Sequence, residues 1–218
     1  TLGSGTLAGA AWIEDDSNIT ANTKVNLGKG AVLTAGDVSL ARATISDSGT
    51  ISNHNKKDVG GGSIGIGAYN DADLYSATLV HIWGAAGGAG SNTDIRYNST
   101  TDINSAAQLE TANGDIRLAA GTDSRGREQQ IFARADGYIV NATAVPLTIY
   151  PVPSVTVNNT ANVKIDKSDA SAYRPDIGSD RNIILTAKAG DVTTVADGNT
   201  KDWINGALSI FGFSACDT

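Results

Sequence analysis

Short runs of alternating apolar and polar residues, broken by Gly, Asn and Asp, recur along almost the whole chain, and no other feature restricts the fold as much. The pattern is plainest in LTAGDVSL (33–40) and returns as LETANGDIRL (109–118) and LTAKAGDV (185–192). The Gly-Asp pairs start at Gly36, Gly114 and Gly190, a spacing of 78 and then 76 residues. Period-2 alternation marks a strand with one buried face. Gly-Asp, Asn-Thr and Gly-Lys-Gly are turn chemistry. A strand–turn–strand unit that recurs at steady spacing predicts a stacked, coil-by-coil architecture.

Strands of three to five residues are unstable alone, and a two-stranded hairpin is marginal. Coiling lets each strand pair in parallel with its counterpart one turn later, so that inward Val, Ile, Leu and Ala stack as ladders. The expected fold is therefore all-β: a right-handed single-stranded parallel β-helix (β-solenoid) with loop excursions. At about 20 residues per coil the chain would make on the order of ten coils, a rod roughly 45–50 Å long at ~4.8 Å per strand. A Greek-key sandwich, the competing architecture, calls for longer strands and a more aromatic core, whereas aromatic residues make up only 6% of this chain.

Composition agrees. Apart from Glu14, Glu110 and Glu128 the acids are all Asp, which suits turns better than helices. The formal net charge of −7 argues against nucleic acid, which rewards clustered Lys and Arg. No apolar run approaches the ~18 residues of a membrane helix, so no membrane insertion is expected. The lone cysteine, Cys216, has no partner for an internal disulfide. Methionine is absent even at position 1, which predicts a processed product or internal fragment without a signal peptide. The chain divides into an amino-terminal edge or connection (1–17), a β-helix shaft (18–200) and a carboxy-terminal cap or tail (201–218) with Trp203, Phe211 and Phe213. Loops are expected at 52–62, 121–130 and 166–180, a hinge at 84–90, and an extended strap or sheet edge at 144–154 around Pro146, Pro151 and Pro153. Val38, Leu40, Ile116, Leu118 and Leu185 are the expected inward positions.

The runs NTKVNLGKGAVLTAGDVSLARATISDSGT (22–50), ANGDIRLAAGTDS (112–124) and RNIILTAKAGDVTTVADGNT (181–200) resemble the large filamentous adhesins of bacteria. These are exoproteins of the two-partner secretion type, related to filamentous haemagglutinin, with the Fusobacterium-type leukotoxin branch the nearest. The likeness spans most of residues 18–200 and is one of repeat style. It implies a secreted β-helical shaft at the bacterial cell surface, exported through an outer-membrane partner. It also implies attachment to a host cell-surface protein or glycan, or to other copies of the filament. The amino-terminal secretion motif of that family is not in this sequence.

Residues that could carry chemistry each have a plainer reading. His54 and His81 are far apart and lack the spacing of a zinc site. Asp15, Asp16, Asp71 and Asp73 could offer oxygen to calcium but match no calcium loop. Asp37, Asp115 and Asp191, which follow the recurrent glycines, suit turn amides. The segment SIGIG (63–67) lacks the frame of a phosphate loop. Arg117, Arg125, Arg127 and Arg134, with Asp115, Asp123, Glu128 and Asp136, are the one cluster that a β-helix polysaccharide lyase or hydrolase could use. An exposed charged loop accounts for them as well. Asn18, Asn98, Asn141 and Asn158 stand in Asn-x-Ser/Thr sequons open to glycosylation. No catalytic, metal or cofactor role is assigned to any residue. The expectation is a non-catalytic adhesin shaft; the alternatives are a β-helix carbohydrate-active enzyme and a phage-type fibre or spike.

Overall fold

The computed structural model describes residues 2–36, 44–45, 51–52, 61–123, 125–166 and 177–202. Val38, Leu40, Asp37, His54, most of the 52–62 and 166–180 excursions, Trp203, Phe211, Phe213 and Cys216 lie outside the described residues.

The described chain is all-β. In order it forms β1 (Leu2–Leu27), β2 (Val32–Ala35), β3 (Thr44–Ile45), β4 (Ile51–Ser52), β5 (Ile64–Ala68) and β6 (Ala72–Ser105). There follow β7 (Gln108–Thr111), β8 (Ile116–Ala120), β9 (Gln130–Ile165), β10 (Ile177–Ser179), β11 (Ile183–Ala187) and β12 (Asp191–Asp202). Three parallel sheets stack successive passes of the chain, in the orders β1-β6-β9-β12, β10-β7-β2 and β11-β8-β5. Only β3 and β4 pair as antiparallel strands.

Two expectations fail here. The strands are not uniformly short, since β1, β6 and β9 run for 26, 34 and 36 residues. Nor is a pass about 20 residues: Gly3 stands beside His81, Ala72 beside Ile131, and Asp191 beside Gln130. The described stack is therefore four layers, about 14 Å high at ~4.8 Å per layer, and much wider than it is tall. The reason lies in the polar residues read as breaks. In NITANTKVN, Asn18, Thr20, Asn22, Lys24 and Asn26 are solvent-facing positions of one continuous strand and Thr23 turns inward to Asn70, whereas Gly28–Gly30 marks a real corner, with Gly30 at φ +82°.

The long strands find their cover by doubling back. Although β6 keeps its ladder with both neighbours, its two halves face each other. Val80 and Ile82 pack with Ala89 and Ala11, Leu74 packs with Ile95, and the hydroxyls of Thr78 and Thr93 are 2.6 Å apart. The reversal falls in the expected hinge, with a register shift between Gly87 and Ala89. A Cβ on Gly87 would come within 2.7 Å of Ile82 Cδ1, so glycine allows the two walls to close there. The result is a thin two-walled arm, outbound over 72–83 and returning over 89–105. In its lining Ser76, Thr78, Ser91, Thr93 and Ala133 alternate with Val80, Ile82 and Ile95.

Beyond the arm, a second core collects three walls. Ile103 of β6, Leu109 of β7, Ile116 and Leu118 of β8, and Ile64 of β5 are buried together. Inward side chains form columns through the layers: Ile64–Ile116–Ile183 and Ile66–Leu118–Leu185. Ile116 and Leu118 are fully buried as expected, whereas Leu185 is 52% exposed. It occupies its column, but β11 is the edge strand and no described layer covers it. The prolines at 146, 151 and 153 behave as expected. They lie in the half of β9 that, among the described residues, pairs with β6 alone, since the described part of β12 covers Gln130–Asn141, so their missing N–H groups interrupt no second described ladder.

Candidate functional site

The Gly-Asp pairs are corners, but not one corner repeated. Gly36 and Gly114 both follow strands of the β10-β7-β2 sheet, whereas Gly190 follows β11 and leads into β12. Gly36 and Gly190 adopt positive φ (+78° and +76°). Gly114 is needed for space instead, because a Cβ there would overlap the Gly62 carbonyl. Asp115 ties layers together: its carboxylate accepts from the Asn182 amide at 3.1 Å and side chain at 3.0 Å, and its own amide donates to Ser63 Oγ at 3.0 Å. The IGIG of SIGIG lies in β5, with Ile64 buried on the core side.

The Arg/Asp cluster divides into separate neighbourhoods. On the 121–130 loop, Asp123 accepts from the amides of Arg125 (2.9 Å) and Arg127 (2.8 Å). These bonds, the Arg127 amide foremost, hold its carboxyl below the ordinary Asp range. The Arg127 guanidinium pairs with Asp71 at 3.1 Å and lies 5.2 Å from the centre of the Tyr69 ring. Glu128 pairs with Lys188 of the next layer. Arg134 and Asp136 stand away from the loop, on the outer face of the outbound wall. Arg134 Nε donates to both Asp136 oxygens (2.8 and 2.9 Å), and Nη2 is 3.6 Å from Asp197. Each acid is thus engaged with its own partner, and Asp115 belongs to a third group.

The calcium candidates do not converge either. Neighbouring strand residues point to opposite faces. Asp15 turns inward to Ser76, while Asp16 stands in register with Asp94 on the outer face. Among the described residues no three His, Cys, Asp or Glu side chains group as a metal-ligand set. The sequons differ in access. Asn18 and Asn158 are exposed and Asn98 is half-buried, its side-chain oxygen accepting from Asn158 at 2.9 Å. Asn141 is 3% exposed and bonded to both the amide and the hydroxyl of Thr143, so a sugar there would require the arm to open.

One surface was not anticipated. The outer face of the outbound wall carries Tyr75, His81 and Trp83 on β6 beside Phe132, Arg134, Asp136 and Tyr138 on β9. Tyr75 is 66% and Trp83 52% exposed. The Tyr75 hydroxyl bonds Asp136, which raises the phenol above its ordinary pKa. The signal in the sequence was parity: Asp73, Tyr75, Leu79, His81 and Trp83 are all odd, opposite to the even Leu74, Val80 and Ile82. Comparison with known proteins adds no relative: no family model, no curated protein and no solved structure matches this chain.

Proposed function

We propose that the chain is a non-catalytic segment of a right-handed single-stranded parallel β-helix, the shaft of a secreted bacterial cell-surface adhesin that mediates attachment or filament self-association. The observation that carries this reading is the stack itself. Four passes lie in parallel register, and the outermost strands β1 and β12 each pair on one side only among the described residues. Such an edge is a template for another layer, whether from the same polypeptide or from a further copy. A body made by adding passes is suited to extending and displaying surface, and its corners can carry loops without disturbing the ladders.

The test has two arms. The chain should bind bacterial or host cell surfaces, or associate with itself as concentration rises in sedimentation, with no new reducing ends or unsaturated products from a polysaccharide panel. Turnover that is lost in Asp123→Asn would establish an enzyme and refute the proposal. A left-handed coil in an experimental density map would refute its architectural half.

A further inference from the structure

The outer face of the outbound wall has the composition of a sugar-binding surface. At its far end a hollow of about 300 Å³ is lined by His81, Trp83, Tyr138, Val140, Ala142 and Lys201. Trp83 and Tyr138 belong to adjacent strands, two columns apart: Tyr138 stands opposite Leu79, four residues before Trp83. Four residues of strand span about 13 Å. Tyr75 lies four residues before Leu79 on the same face, so Tyr75, Tyr138 and Trp83 zigzag along one strip at roughly 13 Å steps. The wall from 72 to 83 extends about 40 Å and is open to solvent, a shape for the middle of a polymer and not for a small enclosed ligand.

Chemistry separates the classes of occupant. Aromatic rings offer flat apolar surface with polar edges, and pyranose rings present C–H faces to such rings and hydroxyls to whatever lies beside them. Beside the rings stand Arg134, in register with Tyr75, the in-register pair Asp136 and Asp197, and Asn199, in register with Tyr138. Protein–protein interfaces are depleted of Asp and Lys, whereas here Asp136 and Asp197 sit among the rings. A hydroxyl-rich partner can use both sets of groups. Charge then selects among glycans. Asp73, Asp136 and Asp197 outnumber Arg134 and Lys201, and Arg134 is held by the two acids beside it. The strip carries no excess of positive charge to attract a sulfated or uronic chain.

We propose that this strip is a binding face for a neutral polysaccharide, with the Trp83–Tyr138 hollow as its principal subsite. The inference deepens the attachment reading above and rests on it for the setting in which such binding would be used. The subsite requires no bond-making step: rings stack, and the Asp136 and Asn199 side chains and the His81 imidazole meet hydroxyl groups.

Affinity electrophoresis of the 218-residue chain through hydroxyethyl cellulose, xyloglucan, galactomannan and dextran, with heparin as the acidic counterpart, tests it. Retardation is expected in at least one neutral gel, insensitive to added salt. Trp83→Ala and Tyr138→Ala should each weaken it at least ten-fold, Trp83→Phe should retain most of it, and Trp12→Ala on the return wall should leave it unchanged. Circular dichroism establishes that each variant is folded. Saturation transfer from aromatic to sugar protons in the unsubstituted chain gives the same answer without any substitution. No retardation by any neutral polymer, retardation by heparin alone, or retardation indifferent to both ring removals would each overturn the proposal. None of those outcomes bears on the stacked shaft. Release of reducing ends in the gels would instead overturn the non-catalytic reading and leave the binding face standing.

Discussion

Replacing Gly121 with Ala isolates the demand that stacked corners place on the backbone. Gly121 has φ +76°, where an L side chain costs about 1–2 kcal/mol. A Cβ there would also overlap the Lys188 carbonyl oxygen in the next layer, with the Ala161 methyl 3.3 Å away. The corner cannot move freely. The Gly121 amide donates to Ala68 at 2.7 Å, its carbonyl accepts from Gln129 at 3.0 Å, and Lys188 donates to Ala120 at 3.0 Å. Weakening two of these bonds costs about 1 kcal/mol each. The sum is about 3–4 kcal/mol, a large part of the ~5–15 kcal/mol by which domains are stable. Urea unfolding followed by circular dichroism, with Gly28→Ala as the companion, reads the difference. Gly28 has open space around its Cβ position and no positive φ, so its variant should stay within about 0.5 kcal/mol of the parent. Equal midpoints for the two variants, or a Gly121→Ala midpoint at the parent value, would refute the corner argument.

The ladder columns predict that Leu118→Ala costs about 2–5 kcal/mol, while Leu185→Ala in the same column at the open edge costs well under half of that. Equal thermal shifts would contradict the edge assignment. Asp123 has its folded-state pKa lowered, so its contribution to loop order is present above the unfolded value of about 3.9 and is lost as pH falls through the folded one. Protection of the Arg125 and Arg127 amides, measured relative to the intrinsic exchange rate at each pH, should fall on acidification through that range, and Asp123→Asn should abolish this step. In a cell that glycosylates sequons, peptide mapping should find Asn141 bare in folded chains while Asn18 or Asn158 is modified; full occupancy at Asn141 would mean the arm is open. Circular dichroism should show β-structure with negligible helix signal from the described residues.

Parallel β-structure, the Ile64–Ile66 and Ile116–Leu118 columns and the proline edge were legible because period-2 alternation and the missing proline N–H act locally. The size of a pass was not. An outward Asn or Thr in a strand and an Asn or Thr in a turn have the same residue type, and only contacts from distant layers tell them apart. Asn22 was read as part of a break, yet it faces solvent from within β1. The doubling-back of β6 depends on residues 15 and 21 apart along one strand, Thr78 with Thr93 and Leu74 with Ile95, meeting across a thin core, which no short window contains. The charged cluster looked single because Arg125, Arg127, Arg134 and Asp136 are close in sequence. The corner and the strand after it then point them to different surroundings. The aromatic strip was readable in principle, since exposed rings have the parity opposite to the buried Val80 and Ile82, but parity names a face only once the inward face is known.

The layers also set how such a body would respond to tension. The hydrogen bonds between passes run along the stack, and β1 and β12 occupy its two outer layers. A pull on the two ends of the chain therefore loads the interfaces in series. Among the described residues the twelve-residue β12 has the shortest ladder in its sheet, and that ladder should part first. Once Ala72 parts from Ile131, a whole pass is freed, and the roughly 60 residues of slack extend about 200 Å at ~3.3–3.6 Å per residue. Under such a pull, wide passes would yield in few, long, discrete steps, dissipating energy at each while the layers behind stay folded.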